Sequence, residues 1–416
     1  LIKDEGLALS AGRTEQVQEK SADTAARQRI VDPQKFPPRS PLPARILLAP
    51  FRKLAPKTDR LLTIVETTNV LERVRIILSN PYIRPLFGSL GDGSGFGGGV
   101  ELSTADRLRG NSRLFFSTHW TTKQYMETLA GIKTDPTGGK IFTLELTARY
   151  RLRPQEYFFG LGPNSTFSQK TNYDLQERGV GLAASLQLHK RVRVGIGVDY
   201  SSVRISGGAD EELPATQQLF GSSKLPGLAE GAALLGSFAF AEFEGRDEPA
   251  HPRKGAYLSL VASSNDGVSR GDFGFFSYQA DARGYIPLGS ERRVLALRLL
   301  GLFNNPKGGS EIPFFRLARL GNSQTLRGFD TNRFYGRNAV AANIEYRYEL
   351  VRGIEAVLFT DLGQVYKHPS EFNRGNFRAT FGGGLQLASK KSTFFRFLIG
   401  KSSEGGRFFF GFGPTF

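Results

Sequence analysis

Val340-Ala341-Ala342-Asn343-Ile344-Glu345-Tyr346-Arg347-Tyr348-Glu349-Leu350 changes character at almost every residue. Val340, Ala342, Ile344, Tyr346, Tyr348 and Leu350 share one parity; Ala341, Asn343, Glu345, Arg347 and Glu349 share the other. Side chains of a strand point alternately to its two faces, so this stretch makes one apolar row and one polar row. The same alternation recurs along the chain. Val192, Val194, Ile196, Val198 and Tyr200 alternate with Arg191, Arg193, Gly195, Gly197 and Asp199. Phe276, Tyr278, Ala280 and Ala282 alternate with Ser277, Gln279, Asp281 and Arg283. Phe377, Ala379, Phe381, Gly383, Leu385 and Leu387 alternate with Arg378, Thr380, Gly382, Gly384, Gln386 and Ala388.

A soluble antiparallel sheet gives this pattern with its apolar row inward. Three features favour a membrane instead. Several runs exceed the ~5–6 residues of an ordinary soluble strand. Aromatic residues gather at the ends of runs, as membrane girdles require. Fully apolar core segments, which a large soluble sandwich needs, are scarce. No apolar run reaches the ~18 residues of a spanning helix, whereas a spanning strand needs only about 10 alternating ones. The fold read from this is all-β, a transmembrane antiparallel β-barrel. About sixteen segments can be counted, an even number as closure in this class requires. The first is placed at 94–103, the fifth at 157–162 and the last at 405–416. Short turns such as 188–190 and 351–353 fall on the periplasmic rim, and the long links at about 206–231 and 305–337 on the extracellular rim.

The chain has 416 residues, with 49 glycines, 34 phenylalanines, one methionine, one tryptophan and no cysteine. Lack of cysteine excludes a disulfide framework, a thiolate metal site and a cysteine nucleophile. The formal charge of +16 suits an anionic membrane surface or a charged lumen. Nucleic acid is disfavoured, because no compact basic and aromatic stripe or zinc spacing occurs. Neither a metal-ligand cluster, a phosphate loop nor a nucleophile elbow is present, so no cofactor, metal or catalysed reaction is expected. Of the four histidines, His189, His251 and His368 fall in turns or loops. His119, in Ser117-Thr118-His119-Trp120, could form half of a hydrolase dyad but reads as an interfacial residue beside Trp120.

Residues 1–93 read as an N-terminal extension and 94–416 as the barrel. The chain opens at Leu1 without a methionine or an apolar signal core, as a processed or trimmed product would. Phe36-Pro37-Pro38-Arg39-Ser40-Pro41-Leu42-Pro43 is an extended linker. Thr58 or Asp59 then caps a helix running to about Leu78. Its broad apolar face includes Leu61, Leu62, Ile64, Val65, Leu71, Val74 and Leu78, to be covered by the barrel or its own domain, by the membrane, or by the lumen.

Within the link at 305–337 stands Leu326-Arg327-Gly328-Phe329, followed by strands carrying Glu345 and, in Phe359-Thr360-Asp361-Leu362-Gly363, Asp361. In a barrel both acids face the lumen, where a loop arginine can reach them. Tyr157-Phe158-Phe159-Gly160-Leu161-Gly162, His251-Pro252-Arg253-Lys254-Gly255, Leu320-Gly321, Glu345-Tyr346-Arg347 and the aromatic end from Phe408 to Phe416 complete an ordered set. Over roughly 94–416 this set resembles the BamA/TamA superfamily of outer-membrane assembly and secretion barrels, the bacterial surface antigen family.

The resemblance implies that the loop between strands eleven and twelve folds back into the barrel. Its anchor is Arg327, with Asp361 as first partner and Glu345 as second; the pair either gates or simply holds the loop folded. Gly328 permits a tight reversal and Phe329 packs the tip on the wall. Phe408, Phe410, Phe412 and Phe416, on one parity, correspond to the C-terminal strand signal of such barrels, or to an ordinary lipid-facing strand. A lateral seam lies between first and last strands, and Gly95, Gly97, Gly98 and Gly99 make the first of them soft, unless they merely fill a crowded turn. Members that recruit clients carry POTRA domains before the barrel; residues 1–93 show no βααββ pattern, so the chain reads as a short form. The implied function is insertion or translocation of other proteins at a bacterial outer membrane, or an organelle outer membrane of bacterial origin. The implied partners are outer-membrane lipid and lipopolysaccharide, periplasmic assembly factors and client proteins. A solute pore lined by Arg191, Arg193, Arg283 and Arg347, and a scaffold subunit of a larger complex, are the competing readings.

Overall fold

The computed structural model describes residues 80, 82–104, 112–134, 141–221, 225–269, 272–389 and 392–416. The helix expected at 58–78 and nearly all of the N-terminal extension lie outside the described residues. From there the chain runs up and down as one antiparallel meander. Its strands are β1 (Ile83–Gly88), β2 (Gly97–Ser103), β3 (Ser112–Thr121), β4 (Met126–Thr134), β5 (Phe142–Phe158) and β6 (Thr171–His189). Next come β7 (Val192–Gly207), β8 (Ala232–Glu244), β9 (Gly255–Ser269), β10 (Gly274–Pro287) and β11 (Arg293–Pro306). β12 (Ala318–Leu320) and β13 (Phe334–Gly336) form a small hairpin inside a loop, and β14 (Asn338–Val351), β15 (Ile354–Tyr366), β16 (Arg378–Ala388), β17 (Thr393–Ser402) and β18 (Gly405–Gly411) complete the wall. Sixteen of these pair in sequence order, with β11 beside β14 and with β1 and β18 as the two ends.

The sheet is inside-out by the standards of water. On β15, Leu358 and Leu362 are exposed, whereas Val357, Phe359, Asp361 and Val365 are buried. Ile196 is 65% exposed, Leu358 61% and Phe408 71%, yet Glu345, Asp361 and Arg327 are 0% exposed. Apolar surface left on the convex face is stable only in lipid, and the ionised side chains collect on the concave face. No helix among the described residues is long and apolar enough to cross a membrane. A wall of strands that pair in sequence satisfies its backbone groups between its two edges without one.

Two strand assignments differ from the sequence reading, and they offset each other in the count. The expected boundary at 94 lies inside the wall, since β1 begins at Ile83. Pro85 hid that strand: proline cannot donate to a ladder, but β1 is paired on one side only, by β2. The expected fifth strand at 157–162 is the end of β5. The register slips between Arg153 and Glu156, around Pro154, and pairing with β6 resumes through Phe158. A bulge absorbs the proline and makes one long strand look like two.

Gly88, the last residue of β1, lies 3.8 Å (measured from an added Cβ) from the Phe412 ring just beyond β18, and the Phe96 and Phe412 rings stand 5.9 Å apart. The sheet edges are thus brought side by side, but no backbone ladder joins β1 to β18 among the described residues. Leu358→Arg places a charge on the convex face of β15. It is expected to cost about 2–4 kcal/mol near the bilayer midplane, read from urea titration of folding into lipid vesicles. A surface facing water would tolerate the change at no measurable cost.

Candidate functional site: the loop inside the lumen

The long connection between β11 and β14 returns to the concave face and crosses it. Leu320, Leu326, Phe329 and Phe334 from this loop pack with Leu300, Ala339, Ala341 and Val365 of the wall. The Phe329 and Phe334 rings meet edge-on at 5.0 Å. Leu326-Arg327-Gly328-Phe329 is a tight turn, closed by the Phe329 N–H donating to the Leu326 carbonyl at 3.1 Å.

Glycine is needed at 328 for a reason other than the expected reversal. Its φ is not in the left-handed region, but a Cβ there would stand 2.8 Å from the Lys401 backbone and the Ser402 side chain. The opposing residue of β17 is Gly400, where a Cβ would collide with the Arg327 carbonyl. The Ser402 hydroxyl closes the contact by donating to the Gly328 carbonyl at 2.7 Å. Two backbones therefore touch with nothing between them.

Arg327 sits beyond this contact. Its Nη2 donates to Asp361 Oδ1 at 2.7 Å, its Nε to Oδ2 at 3.0 Å and its Nη1 to Glu345 Oε2 at 2.5 Å. The backbone N–H of Arg327 also donates to Asp361 Oδ2, at 3.0 Å, and the guanidinium lies 3.6 Å above the Phe359 ring. Strand register supplies the acids. Asn343 pairs with Asp361, which pairs with Thr380, so the three stand in a row across β14, β15 and β16. Asn343 Nδ2 and Thr380 Oγ1 each donate to Asp361 at 2.8 Å. Arg347, two residues along the same face, donates from Nε to Glu345 Oε1 at 2.7 Å. Two arginines and two carboxylates thus form a neutral, buried group with every carboxylate oxygen bonded. The planar fork of arginine suits this arrangement better than the single ammonium of lysine.

The other end of the loop is anchored on the opposite wall by residues that sequence reading did not single out. Arg319 and Asn332 both donate to Glu156 Oε2 on β5, at 3.2 and 2.8 Å. The Tyr335 hydroxyl donates to the Tyr157 carbonyl at 2.9 Å and meets the Tyr173 hydroxyl at 3.2 Å. Arg316 donates to Glu177 at 2.8 Å and to Ser201 at 2.9 Å. These pairs are too distant in sequence for any local pattern to announce them.

Other expected residues lie elsewhere. Phe408, Phe410 and Phe412 share the convex face with Phe395 and Phe397, forming a band of contacting rings. Phe416 departs from them: β18 ends at Gly411, and Phe416 is buried against Tyr285, Val294 and Ala296. The left-handed φ of Gly413, +72°, helps to turn the chain off the strand's parity. The glycines expected on the first strand are one strand inside the sheet edge. Gly97, Gly98 and Gly99 belong to β2, and Cβ atoms at 97 and 99 would collide with the carbonyls of Trp120 and Thr118 on β3. Gly95 lies in the turn before them, at φ +79°.

His119 is directly opposite Glu127 on β4 and off the parity of exposed Trp120, so it is a lumen residue and not an interfacial one. His251 in the β8–β9 turn is buried, with Nδ1 2.8 Å from Thr393 Oγ1 and Nε2 3.0 Å from Glu355 Oε1. Hydroxyl, imidazole and carboxylate are ordered as in a nucleophile relay. All three side chains are buried, however, and Arg253 also donates to Glu355 Oε1 at 2.7 Å, so the group fastens the turn across the rim. In the same turn Asp247 accepts the N–H groups of Arg253 and Lys254 at 3.0 and 3.2 Å. Burial alone would raise its pKa, but these backbone donors outweigh burial and hold it below the usual carboxylate value.

A membrane-spanning meander with a loop buried in its lumen defines a specialised class of outer-membrane barrel rather than an open porin. Residues 89–416 match the Omp85 superfamily domain, and the chain belongs to that superfamily. The solved fold of BamA from Haemophilus ducreyi lacking POTRA domains 1–3 is similar, with a TM-score of 0.61 and 17% identity over 80% of this chain and 69% of that one. CdiB from Escherichia coli is similar with a TM-score of 0.51 and 12% identity, over 80% of this chain and 62% of CdiB. At the level of sequence, no curated protein matches. The chain is thus a BamA-like Omp85 barrel of the outer membrane.

Arg327→Ala strands two buried carboxylates and is expected to destabilise the seated loop by about 3–5 kcal/mol. Tryptic cleavage of the folded barrel at Arg316, Arg319 or Arg333 reads this directly, and the wild-type loop should resist. Gly400→Ala removes no charge but should also accelerate loop cleavage, because the contact with Arg327 cannot close.

Proposed function

We propose that this barrel inserts or translocates other proteins at the outer membrane, using the unpaired edges of β1 and β18 as a lateral seam. The observation that carries the reading is the interruption of the wall between β1 and β18, where no ladder joins the strands among the described residues. β1 has six residues and β18 seven, whereas the wall strands from β5 to β15 have 13–19. A cleft of about 560 Å³ borders the β18 edge, lined by Gly91, Gly95, Phe96, Arg407, Phe408 and Phe410 among others. Unpaired strand edges offer N–H and C=O groups in a row, and an incoming strand can extend the sheet there.

The loop supports the seam from within. The Ser323 N–H donates to Asp92 in the β1–β2 link, Asp330 pairs with Arg407 of β18 at 2.5 Å, and Gly328 meets β17. It therefore holds structure on both sides of the seam while occupying the lumen. This arrangement weighs against a solute pore. Of the arginines that would line one, Arg193 pairs with Glu242 at 2.5 Å, Arg283 with Asp281 at 2.7 Å and Arg347 with Glu345 at 2.7 Å. Arg191 is exposed in a turn. Client capture falls to a partner, such as a periplasmic assembly factor, or to the residues before β1. Lipid and lipopolysaccharide contact the convex face.

The chain lacks cysteine, so a tether can be introduced without background. Phe96→Cys with Phe412→Cys, bridged by a short bismaleimide, should suppress insertion of an unfolded client barrel into vesicles containing this protein. Insertion at the untethered rate would reject the seam mechanism. Stable partners recovered by affinity purification from mildly solubilised outer membranes would then favour the scaffold reading.

A further inference from the structure

The end of the chain leaves the wall and joins the loop anchor. Beyond β18, Thr415 and Phe416 turn into the lumen and are 1% and 4% exposed. The Tyr285 hydroxyl donates to the Phe416 main-chain oxygen at 2.8 Å. Thr415 stands between two charged groups. Its hydroxyl donates to Glu345 Oε2 at 3.2 Å, the same oxygen that accepts Arg327 Nη1, and it accepts from Arg396 Nη1 at 2.8 Å. Arg396 is on β17, and a Cβ at Gly411 would stand 3.2 Å from its Nη2, so the guanidinium lies against the last residue of β18.

We infer that Thr415 is a positioning residue coupling the seating of the lumen loop to the position of the last strand. This rests on the reading of β18 as the movable edge. Arg396 is 7% exposed, has no carboxylate partner among the described residues and leaves its Nε unbonded there. With Arg327 seated, Glu345 Oε2 is occupied and Arg396 is satisfied only through the Thr415 hydroxyl. When Arg327 leaves, that oxygen loses its charged donor, and Arg396 stands one hydroxyl away from it. A direct pair between Arg396 and Glu345 displaces the hydroxyl, and the tail loses both bonds of Thr415, leaving Phe416 held by Tyr285 and its packing. The relation is reciprocal: a tail pulled outward removes a donor from Glu345 and loosens the loop. The second link from loop to β18, Asp330 to Arg407, has side chains 12% and 32% exposed, so solvent screens it more strongly.

Hydrogen exchange of the folded barrel in detergent tests the coupling without any client. Thr415→Val, which keeps shape but not the hydroxyl, should raise exchange about fivefold in residues 321–333 as well as in 412–416. Arg327→Lys should raise exchange in 412–416, and Thr415→Ser should match wild type. A Thr415→Val barrel whose loop exchanges at the wild-type rate overturns the inference. If that variant does not show the heat-modifiable migration of a folded barrel, Arg327→Lys decides, and an unchanged tail overturns it. Coupled exchange in a barrel whose tethered seam still inserts clients at full rate would keep the coupling and reject the seam mechanism.

Discussion

Everything inside this barrel is arranged around four charges that cannot be separated cheaply. Arg327, Arg347, Glu345 and Asp361 are removed from solvent, and the penalty for stripping water from each is met by the others together with Asn343, Thr380 and Thr415. The group is neutral as a whole and each of its four carboxylate oxygens accepts a hydrogen bond, which is what a buried polar network needs to hold together. One member comes from the loop and three from the wall, so the group exists only when the loop is seated. The close backbone contact at Gly328 and Gly400, the row Asn343-Asp361-Thr380 and the inward tail all serve that single placement.

The wall was legible in the sequence because its solvent differs on the two faces. Alternation at Val192–Tyr200 or Val340–Leu350 needs no tertiary information, and the even strand count follows from it. What escaped was hidden by proline. Pro85 disguised an edge strand, and Pro154 broke a long strand into apparent halves, in each case because a missing donor is tolerated where pairing is one-sided or bulged. The sheet edge is therefore β1 rather than the strand of Gly97–Gly99, where Gly97 and Gly99 serve the packing of β2 on β3.

The anchor was legible for another reason. Arg327, Glu345 and Asp361 lie close in sequence, and the parity of their strands points both acids inward. Glu156, Arg319, Asn332 and Tyr335 carry no such signal, since each is ordinary in its own segment and gains its role only when β5 arrives across the lumen. Phe416 reads as part of the strand although Gly413-Pro414 marks a turn before it: the aromatic series from Phe408 continues on paper past the point where the backbone departs.

The two anchors of the loop also differ in how soon the chain can make them. Arg327 meets Glu345 and Asp361 across 18 and 34 residues, whereas Arg319 and Asn332 reach Glu156 across 163 and 176. Closing the longer spans costs roughly 1.5 kcal/mol more in chain entropy. Contacts of such high sequence separation form late. Chain entropy thus sets an order, in which the loop docks first on the hairpin that follows it and spans the lumen only once β5 and β6 have come round. Its second attachment is in effect a latch set by completion of the wall, and a barrel caught before that point has a loop held on one side alone.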